Sequence, residues 1–87
     1  MSKTIHRQEY RALLALLRER RHMAGLTQVQ CSLALGRSQS YVSDIERGVR
    51  RLDVVQLRDI CHVMKQDFVA FMRDFEKILS HARRVRQ

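Results

Sequence analysis

Apolar residues recur at intervals of three and four along most of the chain, which is the spacing of one face of an α-helix. Near the start, this face is formed by Tyr10, Leu13, Leu14 and Leu17. Arginines occupy the opposite face. The pattern predicts a first helix from about Thr4 or His6 to Met23, and Gly25 then ends it, as glycine often does just past a helix C-terminus.

The segment after the first helix carries the end signals of two short helices. The residues Thr27–Gln30 have the form of a capping box, in which the threonine side chain caps the amides and the glutamine reaches back. They predict a second helix that ends at Leu35. Ser38 is a favourable cap for a third helix, which is expected to run to about Arg47. The glycines that close the two helices are Gly36 and Gly48.

Two further caps divide the rest of the chain. Asp53 begins a second capping box and predicts a fourth helix that runs to about Met64. Asp67 is expected to cap a fifth helix, from Phe68 to the arginine-rich end. The fourth helix is expected to bury Val54, Leu57, Ile60, Cys61 and Met64. The predicted fold class is therefore all-α, with five helices.

The fifth helix carries more apolar surface than a small core can bury. Phe68, Phe75 and Ala82 are one heptad apart, and further apolar residues lie between them, which gives the a/d seam of paired helices. The excess beyond Phe75 predicts contact with a second copy of the chain. The predicted dimer interface consists of Phe71, Phe75, Ile78, Leu79 and Ala82.

Charge and composition narrow the choice of partners. The chain has 87 residues, enough for one small domain, and a formal net charge of +8. Such a basic protein attracts polyanions. The two cysteines, Cys31 and Cys61, lack metal-ligand spacing, so we expect reduced core thiols, no metal and no cofactor. The acidic residues are scattered, which argues against an enzyme. The longest apolar run is too short to span a membrane, and a cytoplasmic protein associated with the nucleoid is expected.

Three stretches together carry a family resemblance: "RHMAGLTQ" from Arg21, "LGRSQSYVSDIERG" from Leu35, and the capped "LDVVQL" from Leu52. They resemble the phage-repressor/Cro-type helix-turn-helix proteins, also called the XRE family, over roughly Leu13 to Met72. Two positions depart from the usual pattern. Ser32 stands where the family usually has alanine, and is small enough for the same close helix approach. Leu52 stands where proline is common.

The resemblance implies a five-helix lambda-repressor-like fold with an extended C-terminal helix, as a single domain over residues 1–87. The motif would span about 27–47, and the C-terminal helix, about 67–83, would form the dimer contact. The second motif helix of this family enters the major groove by its N-terminal end. By resemblance, Arg21 pairs with Glu46 as scaffold.

Roles at the DNA follow from the same resemblance and from side-chain chemistry, because short polar groups can read base edges and guanidinium groups suit phosphates. For Tyr41, packing on the domain surface is the alternative to a DNA contact. The residues predicted to read bases are Gln39, Ser40, Ser43 and Asp44. Those predicted to contact the DNA backbone are Gln28, Arg37, Ser38, Tyr41, Arg47, Arg50 and Arg51.

Two functions remain open from the sequence. The first is a sequence-specific regulator of transcription, a homodimeric repressor that binds double-stranded DNA at an operator with two half-sites. Restriction–modification controller proteins and small phage or mobile-element repressors share this size. The second is an antitoxin-like interaction module that masks a protein partner and represses its own operon.

Overall fold

A computed structural model describes residues 7–86, with side chains described for residues 7–82. In this part of the chain the structure has the predicted five helices and no strand. The element order is α1 (Gln8–Met23), α2 (Gln28–Ala34), α3 (Tyr41–Glu46), α4 (Val54–Val63) and α5 (Phe68–Arg86). The predicted start of the first helix, at Thr4 or His6, lies outside the described residues.

Three predicted helix starts are confirmed by their hydrogen bonds. At α2, the Thr27 hydroxyl accepts from the Gln30 amide at 3.0 Å, and the Gln30 side chain accepts from the Thr27 amide at 2.9 Å. Asp53 forms the same reciprocal box with Gln56 at α4. At α5, the Asp67 carboxylate accepts from the backbone of Ala70. Each cap satisfies amides that the first helical turn leaves without a partner.

The first four helices end in the same way, with a residue in the left-handed backbone region. The next residue then donates its amide back to a carbonyl of the last helical turn, which is the Schellman pattern. At three of these ends the left-handed residue is a glycine, as predicted. At the end of α4 it is Lys65, with φ of 59°, and the amide of Gln66 donates to the carbonyl of Cys61 at 2.8 Å.

The core lies between α1, α3, α4 and the first half of α5, with part of α2. It differs from the predicted core at two positions. Leu16 is buried beside the predicted stripe of α1. Val54, expected inside, is 62% exposed, and Val55 is equally open. In the described part of the chain, the first turn of α4 is therefore largely open to solvent. The buried apolar residues are Leu14, Leu16, Leu17, Cys31, Tyr41, Val42, Ile45, Leu57, Ile60, Cys61, Met64 and Phe71.

Helix α5 packs against α1 and α4, and this placement corrects one predicted interface residue. Phe71 is 0% exposed and belongs to the core of its own chain, so it is unavailable to a second copy. Phe75 is half-buried against the same core. Further along α5, Ile78 and Ala82 are exposed and Leu79 is partly exposed. The apolar seam therefore changes from core to open surface near Phe75.

Candidate nucleic-acid interface

The two motif helices are joined by a turn that is longer than predicted. Helix α3 begins at Tyr41, not at Ser38, and its N-cap residue is Ser40, whose side chain makes no capping bond. The Ser38 carbonyl accepts from the Tyr41 amide at 3.1 Å, so Ser38 takes part in the turn that precedes the helix. The prediction that the Ser38 side chain caps α3 is wrong. As a result, Gln39 and Ser40 are exposed in the turn directly before α3.

The missing cap of α3 is supplied by a residue of α2. Ser32 is 0% exposed. Its hydroxyl donates to the Gln28 carbonyl at 2.8 Å and accepts from the Val42 amide at 2.9 Å. Val42 is in the first turn of α3, where amides lack intrahelical partners. By residue type alone, Ser32 is predicted only to be small enough for a close helix approach. The available signal was a hydroxyl placed at the closest approach of two helices.

The four predicted base-reading residues fall into two pairs. Gln39 and Ser40 have exposed side chains at the N-terminal end of α3. Ser43 and Asp44 are half-buried and already have partners within the chain. The Ser43 hydroxyl donates to the Ser40 carbonyl at 2.9 Å, and Asp44 pairs with Arg47 at 2.6 Å. The structure thus leaves Gln39 and Ser40 as the readily available polar groups.

Tyr41 is placed differently from the predicted backbone contact. The residue is 4% exposed and belongs to the core, because the first turn of α3 directs it inward against the other helices. The Arg37 guanidinium lies 4.4 Å from the ring centroid, and that of Arg50 lies 5.2 Å from it. Cation–π attraction of this kind holds arginines over aromatic rings. Two guanidinium groups, one from the turn before α3 and one from the segment after it, therefore lie over the Tyr41 ring.

The predicted pair of Arg21 and Glu46 is present and is almost fully buried. Arg21 Nε and Nη2 donate to the two carboxylate oxygens of Glu46 at 2.7 and 3.1 Å. Arg21 also donates to the Leu26 carbonyl at 2.8 Å, and Gln28 Nε2 donates to Glu46 at 2.9 Å. These bonds join α1, α2 and α3 in one network. Losing one partner of such a pair would strand a buried charge, at a cost of about 3–5 kcal/mol.

The remaining predicted backbone residues lie around α3. Arg47 follows its last turn, and Arg50 and Arg51 lie in the segment that leads to α4; all three are exposed. Gln28 is half-buried in the first turn of α2, where amide groups favour an anion. One of its two amide hydrogens is used by Glu46. These polar and basic groups thus lie at the start of α2, at the C-terminal end of α3 and in the segment that follows α3.

Other kinds of site have little support in the described residues. They contain no group of three or more side chains that could hold a metal ion. Cys31 and Cys61 are free and buried. Burial raises the pKa of the Cys31 thiol and raises the pKa of Cys61 to about 11, so neither is an activated nucleophile. Within residues 7–86, no helix has both the length and the apolar content that crossing a membrane requires.

Comparison with known proteins agrees with this geometry. A family model for a helix-turn-helix domain matches residues 12–67. The solved structure of an XRE-family-like protein from Pseudomonas syringae pv. tomato str. DC3000 is 44% identical over 86% of this chain and 92% of that chain, with a TM-score of 0.79. The clp gene regulator ClgR from Corynebacterium glutamicum is 25% identical over 90% of this chain and 85% of its own, with a TM-score of 0.71. No significant match is found among curated protein sequences.

The matched segment includes α2, the turn and α3, and therefore the exposed polar turn and the buried Arg21–Glu46 pair. The sequence resemblance, the helix order and the structural similarity lead to the same assignment. The chain belongs to the XRE-type helix-turn-helix family of DNA-binding transcription regulators.

Proposed function

We propose that this chain is a homodimeric repressor that binds an operator with two half-sites. The observation that carries the proposal is the exposed turn before α3, where Gln39 and Ser40 stand clear of the core while Ser32 fixes the helix behind them. Glutamine can pair with both groups of an adenine edge in the major groove, and serine can donate or accept. These two residues would read bases from the N-terminal end of α3.

The arginines around α3 would position the protein on the DNA backbone. Arg37 and Arg50 are held over the Tyr41 ring, so their side chains lose less freedom when they meet a phosphate. Arg51 is exposed beside them. Phosphate contacts fix register and orientation and carry no sequence information directly. Ser43 and Asp44 would join base reading only by exchanging their present hydrogen bonds for bonds to DNA.

Dimerisation would come from the second half of α5. A single motif reads few base pairs, and specific sites normally require two motifs one helical turn apart. Ile78 is 41% exposed, and it shares the open part of the seam with Leu79 and Ala82. Phe75 is half-buried and would contribute the exposed part of its side chain. The predicted seam also includes Val85, whose side chain lies outside the described part of the chain.

Repression would follow from occupancy, because a dimer bound over a promoter excludes the polymerase from the same DNA.

A second candidate is the antitoxin-like interaction module, and exposed apolar side chains favour it. Met23 at the end of α1, and Val29 and Leu33 on α2, are open to solvent. They would suit a protein partner. Both cysteines are free thiols, which fits action in a reducing cytoplasm.

The test is selection of bound duplexes from a random DNA pool at about 0.15 M salt, followed by sequencing. An inverted repeat with half-sites about one turn apart is expected. Enrichment of no sequence, with binding that disappears steeply as salt rises, would contradict the proposal. In that case, co-purification of a protein partner would favour the interaction module.

The selected duplex then separates reading from positioning. Gln39→Ala should cost about 1–3 kcal/mol and relax the base preference at one position of each half-site. Arg50→Ala should weaken all sequences alike and lower the salt slope by about 1 for each half-site that is occupied. Both are measured by competition binding against single-base variants of the duplex. Identical behaviour of the two variants would show that the division into readers and positioners is wrong.

A further inference from the structure

A cleft of about 670 Å³ lies between the exposed side of α1 and the C-terminal end of α3. His22 lines the α1 side of the cleft, and the charged residues on that side are Arg11, Arg18 and Glu19. On the α3 side they are Glu46 and Arg47. The predicted base-reading and backbone residues include only Arg47 from this set, so the function proposed above leaves most of the cleft unused.

The charges of the cleft do not balance. Glu46 is held by Arg21 from outside the cleft, and Glu19 lies 3.5 Å from the Arg20 guanidinium, which also pairs with Asp74 at 3.1 Å. Arg47 pairs with Asp44, which is also outside the cleft. Arg11 and Arg18 form no ion pair with any described residue, and both are exposed. In the described part of the chain, the cleft therefore presents two guanidinium groups that have no ion-pair partner.

The cleft is continuous with the predicted backbone contacts. Glu46, one of its walls, accepts a hydrogen bond from Gln28 at the first turn of α2. Arg47, next to Glu46 on the α3 side, is itself a predicted phosphate contact. A DNA strand that passes Gln28 and Arg47 is therefore led toward α1. Arg11 and Arg18 are seven residues apart, or about 10.5 Å along a helix. One DNA strand presents a phosphate about every 3.4 Å along the duplex axis, so the two arginines are far enough apart to contact different phosphates.

We propose that Arg11 and Arg18 form a second backbone-binding surface, which holds phosphates of the DNA that flanks each half-site. Their planar guanidinium groups match phosphate oxygens in paired hydrogen bonds. The inference rests on the proposed function, since it requires a duplex seated on α3. It gives α1 a role at the DNA besides its role in the core, and makes the contacted duplex longer than the sequence that is read.

The test compares Arg11→Ala/Arg18→Ala with Arg58→Ala/Arg73→Ala, which removes the same charge from exposed positions of α4 and α5 outside the cleft. Affinity is measured against salt concentration on two duplexes. One is the selected core site, and the other is the same site with about one helical turn, ~10 base pairs, added at each end. Circular dichroism confirms that both variants are folded.

On the extended duplex, Arg11→Ala/Arg18→Ala should reduce the slope of log K against log[salt] by about 3.6 for the bound dimer, because each of the two protomers loses two phosphate contacts of about 0.9 each. The control variant should keep the wild-type slope, and on the core duplex both variants should match wild type. A wild-type slope for Arg11→Ala/Arg18→Ala on the extended duplex overturns the proposal. So does an equal reduction on both duplexes, which would place the two arginines within the core site or reflect net charge alone. Failure of the wild-type protein to select any duplex would instead overturn the proposed function.

Discussion

Ser32 shows how one hydroxyl positions the predicted reading surface. Its hydroxyl donates to a carbonyl of α2 and accepts from an amide of α3, so a single buried group fixes the position of the two motif helices relative to each other. The residues before α3 make no side-chain cap of their own. An alanine at this position would allow the same close helix approach and would leave the Val42 amide without its partner.

Ser32→Ala should therefore lower the free energy of unfolding by about 1–3 kcal/mol, the cost of an unsatisfied buried donor. Ser80→Ala is the matched control: among the described residues, Ser80 forms a side-chain bond with Glu76 alone, across one turn of α5, so this substitution should change stability little. Urea denaturation of both variants measures the difference. An equal, small effect of the two substitutions would show that the Ser32 hydroxyl does not cap α3.

At the scale of single residues, local spacing explains what could be predicted. A capping box joins residues three apart, so Thr27 with Gln30 and Asp53 with Gln56 can be recognised from the sequence. The bond from Val42 to Ser32 spans ten positions, and it exists only because two helices cross there. The same limit applies to Tyr41, because its inward direction depends on where α3 begins.

Among the elements, the helix ends are the most regular feature. A left-handed residue ends each of the first four helices, and the backbone at that residue favours glycine because a Cβ atom crowds the following carbonyl. The chain has glycine at three of these positions and Lys65 at the fourth. The end of α4 therefore holds strain that the other three ends avoid.

Lys65→Gly should raise the free energy of unfolding by about 1 kcal/mol, because the left-handed conformation costs a non-glycine residue about 1–2 kcal/mol and glycine gives some of this back as unfolded-state entropy. Lys77→Gly makes the same chemical change inside α5, and it should destabilise by about 1 kcal/mol. Thermal unfolding of the two variants should move in opposite directions. A loss of stability in both would indicate that Lys65 makes contacts that outweigh its backbone strain.

Periodicity predicts the number and order of the helices. It predicts their ends and their buried faces less well. Helix α3 begins three residues after the predicted cap, since Ser38 and Ser40 are equally good candidates by residue type. Phe71 fits an a/d seam as well as it fits a core position, because both use the same helical spacing. Only the packing of α5 on α1 and α4 decides which of its apolar residues are covered.

For the molecule as a whole, the two buried thiols link stability to pH. Burial keeps them protonated and raises the pKa of Cys61 from 9.0 to about 11. Above pH 9 the thiol of the unfolded chain ionises while that of the folded chain does not, which favours the unfolded state. The stabilisation from the protonated thiol is complete below pH 9 and is lost as the pH rises toward 11.

Unfolding free energies of the wild-type protein should therefore fall between pH 9 and pH 11 more steeply than those of Cys61→Ala, in which the titrating thiol is absent. The cavity left by alanine shifts the whole curve and does not change its slope. Denaturation at a series of pH values, with both proteins in the same buffers, provides the comparison. Parallel curves would show that the Cys61 thiol titrates alike in the folded and unfolded chain.

The short capped turns between the helices also bear on how the chain reaches its fold. Residues 24–27, 35–40 and 64–67 reverse the chain within a few positions, so most contacts form between nearby segments, and helical proteins of this kind fold within microseconds to milliseconds. The sequence contains no proline, which removes the isomerisation that slows many refolding reactions to tens of seconds. A molecule that unfolds after leaving one DNA site would regain its binding surface well before such a slow step could delay the next encounter.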